Sequence, residues 1–214
     1  MLSYVNEVNI KKEGERKMAR VSTKERLMET ALTLFSQKGY AATSVDEIAE
    51  SIGIKGPNLY KYFKGKEDLF EQLTRLRDVS YKSNMGFDPK FIENIHNGKT
   101  LKDFSMKQIR YTISNDTVIK LRKMLSIEQF RNEELGDEAT LHQLTNPMNL
   151  YIKLFTRMME AGEIRKCDPE MLALEYVSPV TVLIQVCDRK PEKKDEILKQ
   201  IEEFIDLFIE QNFE

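Results

Sequence analysis

The stretch from Thr43 to Lys66, TSVDEIAESIGIKGPNLYKYFKGK, limits the possible folds of this chain more than any other. Ser44 stands three residues before Glu47, the spacing of a helix N-terminal capping box. Val45, Ile48, Ala49 and Ile52 then recur at i, i+3, i+4 and i+7, which lines one face of a helix with apolar groups. Gly53 follows where a left-handed C-terminal cap is wanted. Gly56 and Pro57 open a second short helix, with proline at a tolerated first-turn position. In that helix Leu59 and Phe63 share one side, and Asn58, Lys61 and Tyr62 share the other. A short helix offering amide, ammonium and phenol groups to solvent, braced by an apolar helix before it, has the parts a helix-turn-helix needs to read DNA.

Composition agrees with a helical chain. Nine glycines, six prolines and no tryptophan in 214 residues leave little material for a loop-rich β fold. A hydrophobic share of 41% supports a core, and 32% charged residues suit solvated helix faces. Cys167 and Cys187 form no C-x-x-C pair, and with only two histidines no metal pattern arises. Two thiols in a reducing compartment are the expectation. The net charge of −2 argues at first against nucleic acid, but its distribution does not. Residues 1–66 hold 12 Lys/Arg against 8 Asp/Glu, a net +4, so the remaining 148 residues carry −6. A basic end on an acidic body suits docking one end on phosphate.

Residues 1–20 lack helical or strand periodicity and read as a flexible leader. Within it KKEGERK precedes Met18, a second candidate start that N-terminal mass spectrometry of the native protein would test; a basic arm contacting phosphate is the rival reading. No signal-peptide pattern is present in residues 1–17. The most apolar run, Met171 to Cys187, is interrupted by Glu175, Ser178, Pro179, Thr181 and Gln185. It falls short of the ~20 residues of a membrane span, which predicts a buried helix in a cytoplasmic protein.

Helical signals continue along the chain. Ser22 and Glu25 make a capping box for a helix carrying Leu27, Ala31, Leu34 and Phe35, stopped by Gly39. Glu67 and Asp68 start a helix that runs to about Lys82, with Leu69, Leu73 and Leu76 inward, and SNMGFDP then marks a boundary. Thr100 and Asp103 suggest another helix start. Asn115-Asp116 precedes a helix with Val118, Leu121, Leu125 and Phe130. Asn146-Pro147 opens one with Met148, Tyr151, Ile152, Phe155, Met158 and Met159 on one face, closed by Gly162. Asp168-Pro169 caps a helix continuing through Pro179, and Pro191 begins the last, with a stripe of Ile197, Ile201, Phe204, Ile205 and Phe208. The predicted fold is all-α, about nine helices: leader 1–20, helix-turn-helix domain 21–66, connecting helix 67–85, and a larger domain 86–214.

With these pieces in order, RLMETALTLFSQKGYAATSVDEIAESIGIKGPNLYKYFKGKEDLF, residues 26–70, resembles the tetracycline-repressor (TetR) family of bacterial transcriptional regulators. A weaker echo, MEAGEIRKCDPEMLALEY at 159–176, looks like the turn before the last two helices of many members. The resemblance implies a non-enzymatic homodimer whose reading helices enter successive major grooves of a partly palindromic double-stranded operator. It further implies a dimer interface from the last two helices, and a ligand pocket in the larger domain (86–214) that, when filled, moves the helix after Lys66. No cofactor or metal is implied.

Position by position, the resemblance puts Lys55, Gly56, Asn58 and Lys61 nearest base edges, and Tyr60, Tyr62, Lys66, Thr43 and Ser44 on phosphates. Asn suits adenine, Lys suits guanine, and hydroxyls suit phosphate oxygens. Tyr60 is equally a core aromatic with a wet hydroxyl, and Lys61 equally a solvated charge. Gly56 has no side chain to read a base, which shifts specificity toward Asn58, Lys55 and DNA shape. Met106, Tyr111, Met124, Tyr151, Phe155, Met158 and Gln185 are the pocket candidates by residue type and family layout, although such a stripe also serves as plain core. The effector they suit is apolar or amphipathic. His96 and His142 read as surface or loop residues. The leading function is a ligand-released repressor; the alternative is a DNA-bound interaction protein whose helical domain binds a protein partner.

Overall fold

The computed structural model describes residues 22–84 and 92–213, without the side chains of 76–84. The leader, the Met18 start, most of SNMGFDP and the inward placement of Leu76 lie outside the described residues. Among those described, nine α-helices and no strand are present. They are α1 (Thr23–Lys38), α2 (Val45–Ser51), α3 (Lys66–Asn84), α4 (Gly98–Ser114), α5 (Asp116–Glu128), α6 (Glu133–Thr140), α7 (Asn146–Glu160), α8 (Pro169–Arg189) and α9 (Lys194–Asn212).

Local chemistry sets most of their ends. Ser22 Oγ accepts from the Glu25 amide while the Glu25 carboxylate accepts from the Ser22 amide, so the expected capping box of α1 is complete. Ser44 caps α2 by accepting from the Glu47 amide, but Glu47 does not reach back; its carboxylate pairs with Lys38 at the end of α1. The start near Thr100 is corrected. Asn97 is the cap, and Thr100, the third residue of the helix, is its capping-box partner. Asn115, Asn132 and Asp168 cap α5, α6 and α8 through their side chains. Phe130 lies beyond the end of α5 and is 93% exposed, so it does not extend that apolar stripe.

Two elements depart from regular α-helix. Gly56–Lys61 is a 3₁₀ helix, tighter than the α-helix expected there. Leu141–Thr145 is a π-helical turn joining α6 directly to α7, so Asn146-Pro147 continues a helical path rather than opening one. Pro191–Lys193 forms a further 3₁₀ turn before α9.

The buried residues form two cores. One gathers α4, α7, α8 and α9 around Tyr151, Phe155, Tyr176 and Phe208. The other gathers α1, α2, the 3₁₀ helix and α3 around Leu27, Phe35, Ile48, Leu59 and Phe63. It is completed from further along the chain by Leu121, Met124 and Leu125 of α5 and by Leu135 and Ala139 of α6. The N-terminal unit therefore has no sealed core of its own. Its inner face is closed by two helices of the larger unit, and α1 against α5 is the principal joint between them.

α8 spans 21 residues, with the length and hydropathy of a membrane-crossing helix. The helix is less buried than expected, since only about a third of its apolar window is covered. Leu172, Ala173, Tyr176, Val177 and Cys187 pack inward. Met171, Leu174 and Val182 stand 60%, 46% and 58% exposed, and with Ser178 they fall at i, i+3, i+7 and i+11, one outward stripe.

Candidate nucleic-acid interface and effector cavity

The outer face of the helix-turn-helix is built by fixing its inner face. Leu59 of the 3₁₀ helix and Phe63 just beyond it are buried, which leaves Tyr60, Lys61 and Tyr62 exposed and Asn58 half-buried. Tyr60 is 59% exposed and Tyr62 39%, so the core-aromatic reading of Tyr60 does not hold. Ser44, Lys55 and Lys61 are also exposed. Arg26 Nη2 donates to the Ile52 carbonyl at 3.1 Å, and the Lys24 ammonium sits 5.5 Å from the Phe63 ring centre, tying α1 to both short helices.

Three residues assigned to DNA contact are used inside the unit. Thr43 is 1% exposed and its hydroxyl donates to the Gly39 carbonyl at 2.8 Å, so it has no free donor for phosphate. Gly56 is buried, and a Cβ there would fall 1.7 Å from Asp46 Oδ1, so this position faces the Asp46 side chain of α2. Lys66 Nζ donates to the carbonyls of Tyr40 and Thr43 at 2.9 and 3.0 Å and lies 4.3 Å from the Tyr40 ring centre. Its charge holds the loop between α1 and α2 and does not face outward. Ser44, Lys55, Tyr60, Lys61 and Tyr62 remain exposed, and Asn58 is half-buried among them in sequence.

The same loop is held from the other side. Glu128, at the end of α5, is 1% exposed, and its Oε1 accepts from the Ala41 amide at 3.2 Å. Gly39 has φ +94°, and a Cβ at that position would lie 2.3 Å from Glu128 Oε1. Tyr40 donates to Glu67 Oε1 of α3 at 3.0 Å, and burial, with Glu67 beside it, raises its phenol well above the ordinary value. The Gly39–Thr43 loop is thus clamped between α3 and α5.

Behind α5 lies a cavity of about 130 Å³. α4 contributes Ile109 and Thr112, and α5 contributes Leu121, Arg122 and Leu125; the π-helical turn adds His142 and Gln143. Tyr151 comes from α7, while α8 supplies Tyr176, Val180, Ile184 and Gln185. Arg122 is 8% exposed and makes a bidentate pair with Asp188, donating also to the Thr112 carbonyl at 3.2 Å. Such a pair is held by geometry, and removing one partner strands the other. Tyr176 donates to Ser105 Oγ at 2.7 Å, with Tyr151 Oη 3.0 Å from the same oxygen. Burial pushes the Tyr151 phenol up to about 12 and raises the Tyr176 phenol well above its ordinary value.

Of the seven pocket candidates, Tyr151 and Gln185 line this cavity. Met106, Phe155 and Met158 fill the larger core, Met124 fills the N-terminal one, and half-buried Tyr111 lies on α4 outside the lining. Apolar side chains at helical spacing are absorbed by packing before any is left to a ligand. His142, expected at the surface or in a loop, lines the cavity because the π-helical turn re-aims it, a common position for such turns.

An exposed helix-turn-helix surface thus shares one helix, α5, with the wall of a cavity in a separate helical core, the layout of a two-part DNA-binding protein. Residues 27–73 match the family model described as bacterial regulatory proteins, tetR family. The uncharacterized HTH-type transcriptional regulator YhgD of Bacillus subtilis (strain 168) is 28% identical over 173 residues, covering 77% of this chain and 83% of that one. The chain thus carries a TetR-type DNA-binding segment and is similar over most of its length to a transcriptional regulator rather than to an enzyme. Its fold is shared with FadR of Bacillus subtilis, solved in complex with stearoyl-CoA (TM-score 0.64, 18% identity, 86% of this chain and 96% of that one). It is shared too with SmeT, the repressor of the Stenotrophomonas maltophilia multidrug efflux pump SmeDEF (TM-score 0.64, 17% identity, 91% and 92%), which has also been solved with triclosan.

Proposed function

We propose that the protein is a homodimeric, cytoplasmic repressor released from a palindromic operator by a small molecule bound in the α4–α8 cavity. The observation that carries this reading is α5. Leu121 and Leu125 belong to the core under the reading surface and also to the cavity wall. Glu128, at the end of the same helix, accepts from the loop that positions α2. A ligand that displaces α5 therefore changes the packing and the capping of the DNA head together, provided it binds the two arrangements with different affinity. Ligand complexes of SmeT and FadR support an effector role for the cavity in this chain as well.

In this reading Asn58 and Lys55 face base edges, with Lys61 beside them, while Ser44, Tyr60 and Tyr62 meet phosphate and sugar. The stripe Met171, Leu174, Ser178 and Val182 on α8, joined by Leu207 of α9, is the dimer contact. The test is fluorescence anisotropy with a DNA fragment from immediately upstream of the gene, alongside random DNA of equal length. Selective binding that an added compound abolishes is the expected result, and Asn58→Ala narrows the gap between the two DNAs. Equal affinity of the unaltered protein for both fragments refutes an operator-specific repressor.

A further inference from the structure

The apolar cavity does not end at its polar wall. Gln143 and Gln185 line it on one side and also line a second, more polar cleft of about 450 Å³. That cleft is formed by Lys123, Ser126 and Gln129 near the end of α5, by Asp188 and Arg189 at the end of α8, and by Ser36 of α1. The two spaces are thus adjacent chambers separated by two glutamine side chains. The Gln143 amide nitrogen, at this partition, is buried and has no hydrogen-bond partner, an unfavourable state that a ligand acceptor would relieve.

Charge differs between the chambers. In the apolar one, Arg122 is matched by Asp188 and His142 faces Glu138 at 3.1 Å. In the cleft, that same Asp188 is the carboxylate present, and Arg122 already neutralises it. Lys123 makes no hydrogen bond or ion pair among the described residues, and Arg189 donates only to the Gln185 carbonyl at 3.3 Å. The cleft therefore carries two uncompensated cations beside an apolar chamber close in size to an engineered cavity of about 150 Å³ that takes benzene.

We infer that the effector is a single-chain anionic amphiphile: an apolar tail of about six carbons in the cavity, an acceptor at Gln143, and an anionic head at Lys123 and Arg189. Since Ser36 belongs to α1, the head group lies against the DNA-reading unit itself, at its joint with α5. This rests on the effector role proposed above and names the chemistry of that site.

The probes are octanoate, 1-octanol and octylamine, which share a tail and differ only in the charge of the head. Titration calorimetry on the full-length protein is expected to give octanoate at least tenfold the affinity of the other two. Lys123→Gln then weakens octanoate about tenfold and leaves octanol unchanged, while Lys123→Arg holds octanoate within about twofold. Octanol binding as tightly as octanoate, an equal loss for both in Lys123→Gln, or no binding of any probe overturns the inference. Anisotropy on the upstream fragment separates the two proposals. Release by a different compound without octanoate binding refutes only the ligand class, and absence of selective DNA binding refutes only the repressor.

Discussion

Replacing Gly39 by alanine adds one carbon at the point where the reading unit meets α5. Two costs follow from the geometry. The backbone at φ +94° and ψ 163° is a conformation that residues with a Cβ avoid, at about 1–3 kcal/mol. The new Cβ would also lie 2.3 Å from Glu128 Oε1 and 3.0 Å from Ile127 Cγ2, so the carboxylate must leave the Ala41 amide. Losing that hydrogen bond to a buried group costs roughly 1–3 kcal/mol more. The expected loss is about 2–6 kcal/mol, a large part of the roughly 5–15 kcal/mol typical of a folded domain. Urea unfolding followed by circular dichroism, at one fixed protein concentration, measures it. Glu128→Ala alone is expected to cost about 1–3 kcal/mol by leaving the Ala41 amide unpaired. In the double variant the collision is gone, so the combined loss falls short of the sum by at least about 1 kcal/mol. Additivity within about 0.5 kcal/mol would show that Gly39 and Glu128 do not meet, and would sink the clamp.

Lys66→Met removes both donors to the Tyr40 and Thr43 carbonyls, so stability falls by about 1–3 kcal/mol while the salt dependence of DNA binding keeps its slope; a slope shallower by about one ion would return Lys66 to the phosphates. Val182→Glu places a charge in the outward stripe of α8 and is expected to give a monomer by size-exclusion chromatography with light scattering; an unchanged dimer removes this face from the interface. The folded chain holds the Tyr151 proton up to about pH 12, whereas an unfolded tyrosine loses it near pH 10. Its contribution is therefore intact below pH 10 and lost as pH rises to about 12, at up to about 1.4 kcal/mol per pH unit. Tyr151→Phe should flatten the alkaline unfolding curve there, and an equally steep curve would contradict this assignment.

Local signals were readable along the chain. Ser22, Ser44 and Asp168 announce helix starts because a cap and its amide partner lie within three residues, and the Leu27, Ala31, Phe35 face follows one helical period. The surface of Asn58, Lys61 and Tyr62 could be located once Leu59 and Phe63 were assigned inward. Contacts between distant residues were not readable. Thr43, Gly56 and Lys66 sit where the resemblance puts DNA contacts, yet Thr43 bonds the Gly39 carbonyl four residues back, Gly56 abuts the Asp46 side chain, and Lys66 holds two carbonyls more than twenty residues away. The π-helical turn has no periodic signature in LHQLT, so nothing in the sequence turns His142 or Gln143 toward the cavity. Glu128 did leave a trace: with Leu121, Met124 and Leu125 it stands at i+7 of an apolar stripe, and an acid on such a stripe signals a buried partner.

The double use of α5 limits how this protein can diverge. A substitution at Leu121 or Leu125 alters the pocket and the foundation of the reading head together. Changes of effector preference are therefore channelled to the other walls, at Ile109, Tyr151, Val180 and Ile184, which touch the cavity without supporting the head. Mutations on α5 would instead surface as altered repression in the absence of any inducer. A genetic screen that separates inducer-specificity variants from constitutive ones should sort them by helix.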